Sequence, residues 1–186
     1  SPRAFADRPL DIAQVQSLFE AARWSASCFN GQPWRFMVAL KQQPHAFETM
    51  LTCLNEGNRR WAHRAGLLML TVVKLTFDID GSPNRHAHYD LGLAVQNLVV
   101  QATSMGLYAR QMAGILPDVA RYTYHIPDDH DIMTAVAVGY LGDVEDLPER
   151  LQQRELEART RKALSDLVFT GDWENTADFV REEAGV

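Results

Sequence analysis

The alternation of apolar and polar residues along the chain predicts several helices. Apolar residues recur at helical spacing over residues 11–24, which Asp11 is expected to cap, and again over residues 86–105. The apolar face of the second stretch is so wide that the helix is expected to be buried on most sides. Shorter helices are predicted over residues 44–54 and 117–124.

Four other stretches have the composition of β-strands. Residues 34–40 begin directly after Pro33, whose missing N–H fits only the first position of a strand. Residues 67–77 are rich in large apolar and β-branched side chains without helical spacing, as in a strand buried on both faces. Residues 107–112 and 134–140 are predicted as further strands. Because strands and helices alternate without a regular βαβ repeat, we expect an α+β layered domain.

The composition fits one folded domain spanning residues 1–186. Hydrophobic residues make up 46% and charged residues 23% of the chain, which is the balance of a soluble globular protein. The net charge of −6 and the absence of a basic stretch argue against nucleic acid as a partner. From about residue 145 the sequence becomes highly charged, and we expect an extended C-terminal tail that docks on this chain or on a partner.

The cysteines and the longest apolar run indicate where the protein works. Cys28 and Cys53 are too few for a disulfide framework or a four-ligand zinc site, so we expect two free thiols and a cytoplasmic protein. Residues 65–73 form the longest apolar run, which is about half the length needed to cross a bilayer, so no membrane partner is expected. The chain begins at Ser1 rather than at a methionine, and the natural protein is expected to extend upstream.

Few residues point to chemistry on their own. No glycine-rich loop of the dinucleotide or nucleoside-triphosphate kind is present. His86 and His88 are two residues apart and do not share a helix face, so no metal site is expected. Cys28 has no assigned base, and the acidic residues 128–131 fit a solvated loop, so no catalytic side chain is predicted. Arginines near both chain ends suit a phosphate, because a guanidinium binds oxyanions at two points.

Five stretches of the chain resemble the motifs of the nitroreductase family of FMN flavoproteins. The most specific is residues 21–34, AARWSASCFNGQPW, which is similar to the family's Ala-Arg-x-Ala-Pro-Ser-x-x-Asn-x-Gln-Pro-Trp motif. Residues 1–5 resemble the end of its opening Arg-x-Ser-x-Arg/Lys-x-Phe motif. Residues 58–65 resemble its flavin-facing asparagine segment, residues 89–114 its central dimer helix and the following strand, and residues 159–164 its C-terminal basic pair.

The resemblance implies a three-layer α+β fold with a central mixed, largely antiparallel sheet flanked by helices, in an intertwined homodimer with FMN at the interface. Arg3, Arg159 and Arg161 would serve the phosphate or the pyrimidine edge, and the tail would close on the phosphate or the partner subunit. Residues 27–30 would reach the flavin from the other subunit, and the N–H groups of residues 113 and 114 would face N5 and O4. The implied cofactor-binding residues are Ser1, Arg3, Ser27, Cys28, Asn30, Asn58, Ala113, Gly114, Arg159 and Arg161.

Three positions depart from the family pattern. The first motif arginine would lie upstream of Ser1, and Ala26 replaces the usual proline. Ala113 stands where many relatives have a glutamate. Because the contact at this position is made by the main chain, the substitution should preserve it while making the pocket over the ring less acidic.

The implied activity is FMN-dependent reduction of nitroaromatics, quinones or related electrophilic small molecules by NADH or NADPH. Flavin N5 would carry the chemistry, and the electron donor and acceptor would use one open face in turn, which gives ping-pong kinetics. Two alternatives stay open. One is a specialised flavoprotein of the same fold, such as a dehalogenase, an azoline oxidase or a flavin-fragmenting enzyme, and the other is a non-catalytic flavin- or ligand-binding protein.

Overall fold

A computed structural model describes residues 1–181 and divides the chain into two compact units, Ser1–Glu155 and a second unit that begins at Leu156. The helices are α1 (Ile12–Arg23), α2 (Pro44–Thr52), α3 (Glu56–Ala62), α4 (Ala87–Ser104), α5 (Pro117–Tyr124) and α6 (Glu149–Leu156). The strands are β1 (Trp34–Leu40), β2 (Leu67–Lys74), β3 (Tyr108–Met112) and β4 (His130–Gly139). No helix within residues 1–181 combines the length and the apolar character that crossing a bilayer requires.

The four strands form one sheet in the order β1-β2-β4-β3, and all three pairings are antiparallel. β2 is central, so that Leu67 lies between Leu40 of β1 and Val138 of β4. The register of β2 against β4 shifts once, between Thr71 and Val72. The shift is the mark of a β-bulge, which increases the local twist.

Both faces of the sheet are covered by helices. Along β2 the side chains alternate: Leu68, Leu70 and Val72 pack with residues of α2, α3 and α5, whereas Leu67 and Met69 pack with residues of α1 and α4. Burial on both faces explains the continuous apolar run, and each such side chain contributes about 1.5–3 kcal/mol of burial free energy. The helix–sheet–helix arrangement confirms the predicted three-layer α+β fold.

The observed elements differ from the predicted ones at several boundaries. β2 ends at Lys74, where it pairs with His130, and β4 therefore begins four residues before the predicted strand at Thr134. The polar start of β4 concealed this part of the strand. Helix α3 was not predicted, although Asn55 is its N-cap and accepts a hydrogen bond from the N–H of Asn58 at 3.0 Å.

Helix α4 packs on one side only. Its buried residues face α1 and the sheet, but Tyr89 is 69% exposed and Val100 is 58% exposed. The expectation that this helix is buried on most sides is wrong within the single chain. The apolar residues beyond the buried stripe lie on a face that this unit leaves open.

The charged stretch after residue 145 is not extended throughout, because it contains α6. This helix is rich in Glu, Gln, Arg and Leu, all good helix formers, and its Leu151 packs against the core. The unit that begins at Leu156 has short 3₁₀ turns and one isolated bridge between Phe169 and Thr176. It leaves several large apolar side chains exposed: Leu156, Leu164, Leu167, Trp173 and Phe179.

Candidate functional site

A cleft of about 450 Å³ lies where the N-terminal segment, α3, β3 and α6 converge. We call it the arginine cleft, because five arginines line it: Arg3, Arg60, Arg110, Arg150 and Arg154. Of its lining residues within the described chain, one is acidic, Glu56. A cleft with this excess of guanidinium groups attracts anions, although the chain as a whole is acidic.

Arg3 is fixed in the arginine cleft by a carboxylate of α6. The Glu155 side chain accepts a hydrogen bond from the backbone N–H of Arg3 at 2.5 Å and pairs with its guanidinium at 3.2 Å. Both side chains are largely buried, with 17% of Arg3 and 8% of Glu155 exposed. The pair therefore holds the N-terminal segment against α6 and partly neutralises Arg3.

Arg110 has no such carboxylate within residues 1–181. Its Nη1 donates to the carbonyl oxygen of Ser1 and, at 3.3 Å, to the Ser1 hydroxyl, and its guanidinium lies 5.8 Å from the Trp61 ring centre. Burial lowers the pKa of Arg110, and the positive charge of Arg3 lowers it further, while Glu155 opposes the shift. An arginine remains protonated in proteins, so the cleft contains a half-buried positive charge.

Two asparagines lock α3 to the segment after β3. The carbonyl oxygen of Gly114 accepts hydrogen bonds from the Asn58 side chain at 3.0 Å and from the Asn55 backbone N–H at 3.1 Å. A Cβ atom on Gly114 would lie 2.3 Å from Asn55 Nδ2 and 2.6 Å from Asn58 Nδ2, so any larger residue would have to displace both asparagine side chains. The N–H groups of Ala113 and Gly114 donate to no group in the described part of the chain, so two main-chain donors remain for a ligand.

A second set of predicted site residues lies in the loop between α1 and β1. The N–H of Cys28 donates to the buried carboxylate of Asp90 on α4 at 3.0 Å. The Ser27 hydroxyl accepts a hydrogen bond from the N–H of Gln32 at 3.1 Å. These contacts fix both ends of the loop from 27 to 32.

The same loop holds an uncommon backbone conformation. Phe29, Asn30 and Gln32 have φ angles of 50°, 55° and 43°, in the left-handed region. Phe29 is 91% exposed and meets the ring of Phe77 edge-on, with the ring centres 5.9 Å apart. Three such residues within the four positions 29–32 are typical of a loop that is shaped for a ligand or a partner rather than for its own stability.

The predicted site residues therefore form two separate sets on the first unit. Ser1, Arg3, Asn58, Ala113 and Gly114 belong to the arginine cleft and its edge, whereas Ser27, Cys28 and Asn30 line other pockets. Arg159 and Arg161 belong to the second unit and are exposed, and Arg161 donates to the carbonyl oxygen of Thr160 at 2.7 Å. Their contact with a phosphate stays a prediction.

Residues of metal-binding type do not converge. His88 contacts Asp131 at 2.9 Å, and Asp90 accepts the Cys28 N–H instead of joining the histidines. Within residues 1–181 no group of three or more His, Cys, Asp and Glu side chains is placed to hold a metal ion.

Sequence comparison identifies the class of protein to which this fold and this cleft belong. The sequence profile of the nitroreductase family matches residues 1–140. The chain belongs to the nitroreductase family. This confirms the resemblance to the family and places the chain among oxidoreductases of the nitroreductase fold. Four of the five resembling stretches lie within the matched residues, and the fifth, residues 159–164, lies outside them.

Three relatives illustrate how far the similarity extends. The crystal structure of an FMN-containing oxidoreductase is 32% identical, covers 95% of this chain and 89% of its own, and has a TM-score of 0.88. An uncharacterised 15.4 kDa protein of Mycolicibacterium smegmatis is 36% identical over 69% of this chain and 85% of its own length. A Streptomyces coelicolor protein provisionally named as an NADH dehydrogenase/NAD(P)H nitroreductase is 25% identical over 74% of this chain and 79% of its own length.

The most informative residues that the sequence did not reveal are Arg110, Arg150 and Arg154. Arg110 lies within the recognised stretch 89–114 but was not assigned to the site. Arg150 and Arg154 lie in a stretch with many charged residues, so that the sequence did not distinguish them as a pair on one face of α6. A signal was available, because a four-residue spacing places two side chains on one side of a helix.

The two thiols of this nitroreductase-family chain are expected to differ in reactivity. Cys53 has no exposed surface, and burial raises the pKa of its thiol, so less thiolate is present at pH 8. Cys28 is half-buried and open to reagents. We expect one thiol to react with a chromogenic disulfide in the native protein and two after denaturation. The native variant Cys28→Ser should then not react with the disulfide. A second thiol that reacts rapidly in the native wild-type protein would contradict the burial of Cys53.

Proposed function

We propose that the protein is an FMN-dependent oxidoreductase that uses NADH or NADPH to reduce nitroaromatics, quinones or related electrophilic small molecules. Family membership and the similarity to an FMN-containing oxidoreductase support the cofactor. The name of the Streptomyces coelicolor relative supports the nicotinamide reductant. The proposal includes ping-pong kinetics and a cytoplasmic protein, the latter supported by two free thiols.

The observation that carries this proposal is the pair of N–H groups at Ala113 and Gly114 beside the arginine cleft. A flavin ring presents acceptors at N5 and O4, and two adjacent main-chain donors without a partner in residues 1–181 suit that edge. The Asn58 amide nitrogen is taken by Gly114, but its oxygen accepts no hydrogen bond there and is free for the N3–H of a pyrimidine ring. The residues present therefore fit FMN.

The positive charges of the cleft suit the other parts of the cofactor. Arg3 was expected to serve the phosphate or the pyrimidine edge, and Glu155 neutralises part of its charge. Arg110 has no carboxylate partner in the described chain and lies against Ser1, so we add it to the groups that hold the phosphate or favour an anionic ring. Such a charge acts more strongly in a site that excludes water.

A homodimer would unite the two sets of site residues. Within one chain, the loop from 27 to 32 does not line the arginine cleft. In a homodimer, the loop of each subunit can reach the arginine cleft of the other subunit. The open face of α4, with Tyr89 and Val100, offers apolar surface for such a contact. The exposed apolar residues of the second unit support the proposal that the tail closes on a partner, and the exposed Arg159 and Arg161 suit the alternative, closure on the phosphate.

In this arrangement the protein binds and orients, and no side chain is assigned acid or base work. Bound FMN would supply the two-electron chemistry at its N5 atom. The Ala113 and Gly114 N–H groups would hold the ring in place, and the loop of the partner subunit would shape the remaining open space for donor and acceptor in turn.

Colour and reduction test the proposal directly. The purified protein should be yellow, should release FMN on denaturation, and should bleach anaerobically on addition of NADH or NADPH and recover its colour with a quinone or nitroaromatic acceptor. A protein that binds FMN but is bleached by neither nucleotide would be a flavin-binding protein without this activity. A protein that is colourless after incubation with FMN and removal of the unbound flavin by gel filtration would overturn the cofactor assignment.

A further inference from the structure

The arginine cleft has more cationic groups than the flavin proposal uses. Arg3 and Arg110 are the half-buried arginines, next to Ser1 and the Asn58–Gly114 contact. Arg150 and Arg154, in contrast, are exposed at the mouth of the same cleft on α6. The inner and outer arginines thus occupy different depths, which suits two different anionic groups.

Helix α6 is anchored firmly enough to present these outer arginines. Leu151 packs against the hydrophobic core, and the Gln152 side chain donates to the carbonyl oxygen of Leu147 at 2.8 Å. Glu155 binds Arg3 on the N-terminal segment. The contacts of Leu151 and Gln152 come from one turn and that of Glu155 from the next, and together they fix the rotation of α6, so that Arg150 and Arg154 both line the cleft.

The two outer arginines have no internal partner. Neither makes an ion pair or a hydrogen bond with any group in residues 1–181, although the chain has more acidic than basic residues. They are four residues apart on one helix, where like charges repel. Glu155, the neighbouring carboxylate, is occupied by Arg3. Two unpaired guanidinium groups held side by side form a site for a doubly charged oxyanion.

We propose that Arg150 and Arg154 bind the 2′-phosphate of NADPH and make the protein prefer NADPH to NADH. The inference rests on the proposed function, in which a nicotinamide dinucleotide is the reductant. A dinucleotide whose nicotinamide lies over a flavin extends its adenosine end outward, and the 2′-phosphate is the group that distinguishes NADPH from NADH. An exposed arginine pair at the mouth of the cleft suits this distal group, whereas the inner arginines suit the cofactor.

The test uses the FMN-loaded protein and compares both reductants. We expect kcat/KM for NADPH to exceed that for NADH by about tenfold or more, as charge-assisted contacts to one phosphate allow. The double variant R150Q/R154Q should lose about the same factor, tenfold or more, in kcat/KM with NADPH, mainly through KM, and change little with NADH, so that the preference disappears. R150K/R154K should retain much of the preference, because it keeps the charge. The control is R85Q, which removes an exposed arginine outside the cleft.

A binding measurement gives a second readout that does not depend on turnover. By calorimetry, 2′,5′-ADP should bind the wild-type protein more tightly than 5′-ADP does, and R150Q/R154Q should abolish the difference. Equal use of both nucleotides, or an unchanged preference in the double variant, would overturn the inference while leaving the proposed function intact. Loss of FMN in the double variant would overturn it as well, because these arginines would then serve the cofactor. A protein bleached by neither nucleotide overturns the proposed function, and the inference with it.

Discussion

Replacing Gly142 with alanine is expected to lower the free energy of unfolding by about 2–3 kcal/mol, because the new methyl group overpacks a contact that cannot relax. A Cβ at this position would lie 2.5 Å from the carbonyl carbon of Phe5 and 2.6 Å from the Ala6 nitrogen, both main-chain atoms. The contact is part of a short pairing in which the N–H of Gly142 donates to the carbonyl oxygen of Ala4 at 2.9 Å. Chemical denaturation of the variant measures the loss.

The same substitution should weaken the arginine cleft. The N-terminal segment that Gly142 contacts leads directly to Arg3, so its displacement should loosen the Arg3–Glu155 pair and reduce FMN affinity. Gly57→Ala is a suitable stability control, since its Cβ would have ordinary contact at 3.6 Å with Asn55 and alanine favours a helix by about 0.5–1 kcal/mol. If Gly142→Ala has the same free energy of unfolding as the wild type, the close approach of Gly142 to the main chain of Phe5 and Ala6 is incorrect.

The fold was largely predictable because its strands and main helices have strong local patterns. The apolar run of β2 reflects burial on both faces, and the spacing in α1 and α4 reflects one packed side. Helix α3 escaped prediction because seven residues form too short a stretch for a clear period. The overestimated burial of α4 has a related cause: a sequence shows how much apolar surface a helix has, but not whether its own chain covers it.

The candidate site was predictable only where a motif marked it. The loop containing Ser27 and Asn30 was found by its resemblance to the family motif. Its left-handed backbone conformation was not predicted from its amino-acid composition. The arginine cleft could not be read from the sequence, because Arg3, Arg110 and Arg154 are far apart along the chain and meet only through the sheet and α6. Tertiary packing, rather than a local signal, creates its charge.

Mixing two inactive variants is expected to restore about a quarter of the wild-type activity, if each site draws on both chains of a two-fold symmetric dimer. Asn58→Asp replaces the amide that donates to Gly114 with a carboxylate, and Asn30→Asp adds a negative charge to the exposed loop. Each change opposes an anionic reduced cofactor, and each homodimer should lose activity by about tenfold or more. Asn30→Asp should unfold like the wild type, because aspartate tolerates the left-handed backbone that Asn30 adopts.

The recovery follows from how the altered residues are distributed in a mixed dimer. One site of that dimer receives both substitutions and the other receives neither, so half of its sites are intact. Random mixing makes about half of all dimers mixed, which gives the expected quarter. NAD(P)H oxidation with a quinone acceptor measures this recovery in the unfractionated product of co-expression. Mixed dimers isolated by tandem purification through two different affinity tags should reach about half of the wild-type activity, because one of their two sites is intact. If Asn58 and Asn30 instead serve one site within a single chain, every site in the mixture carries one substitution and no activity returns.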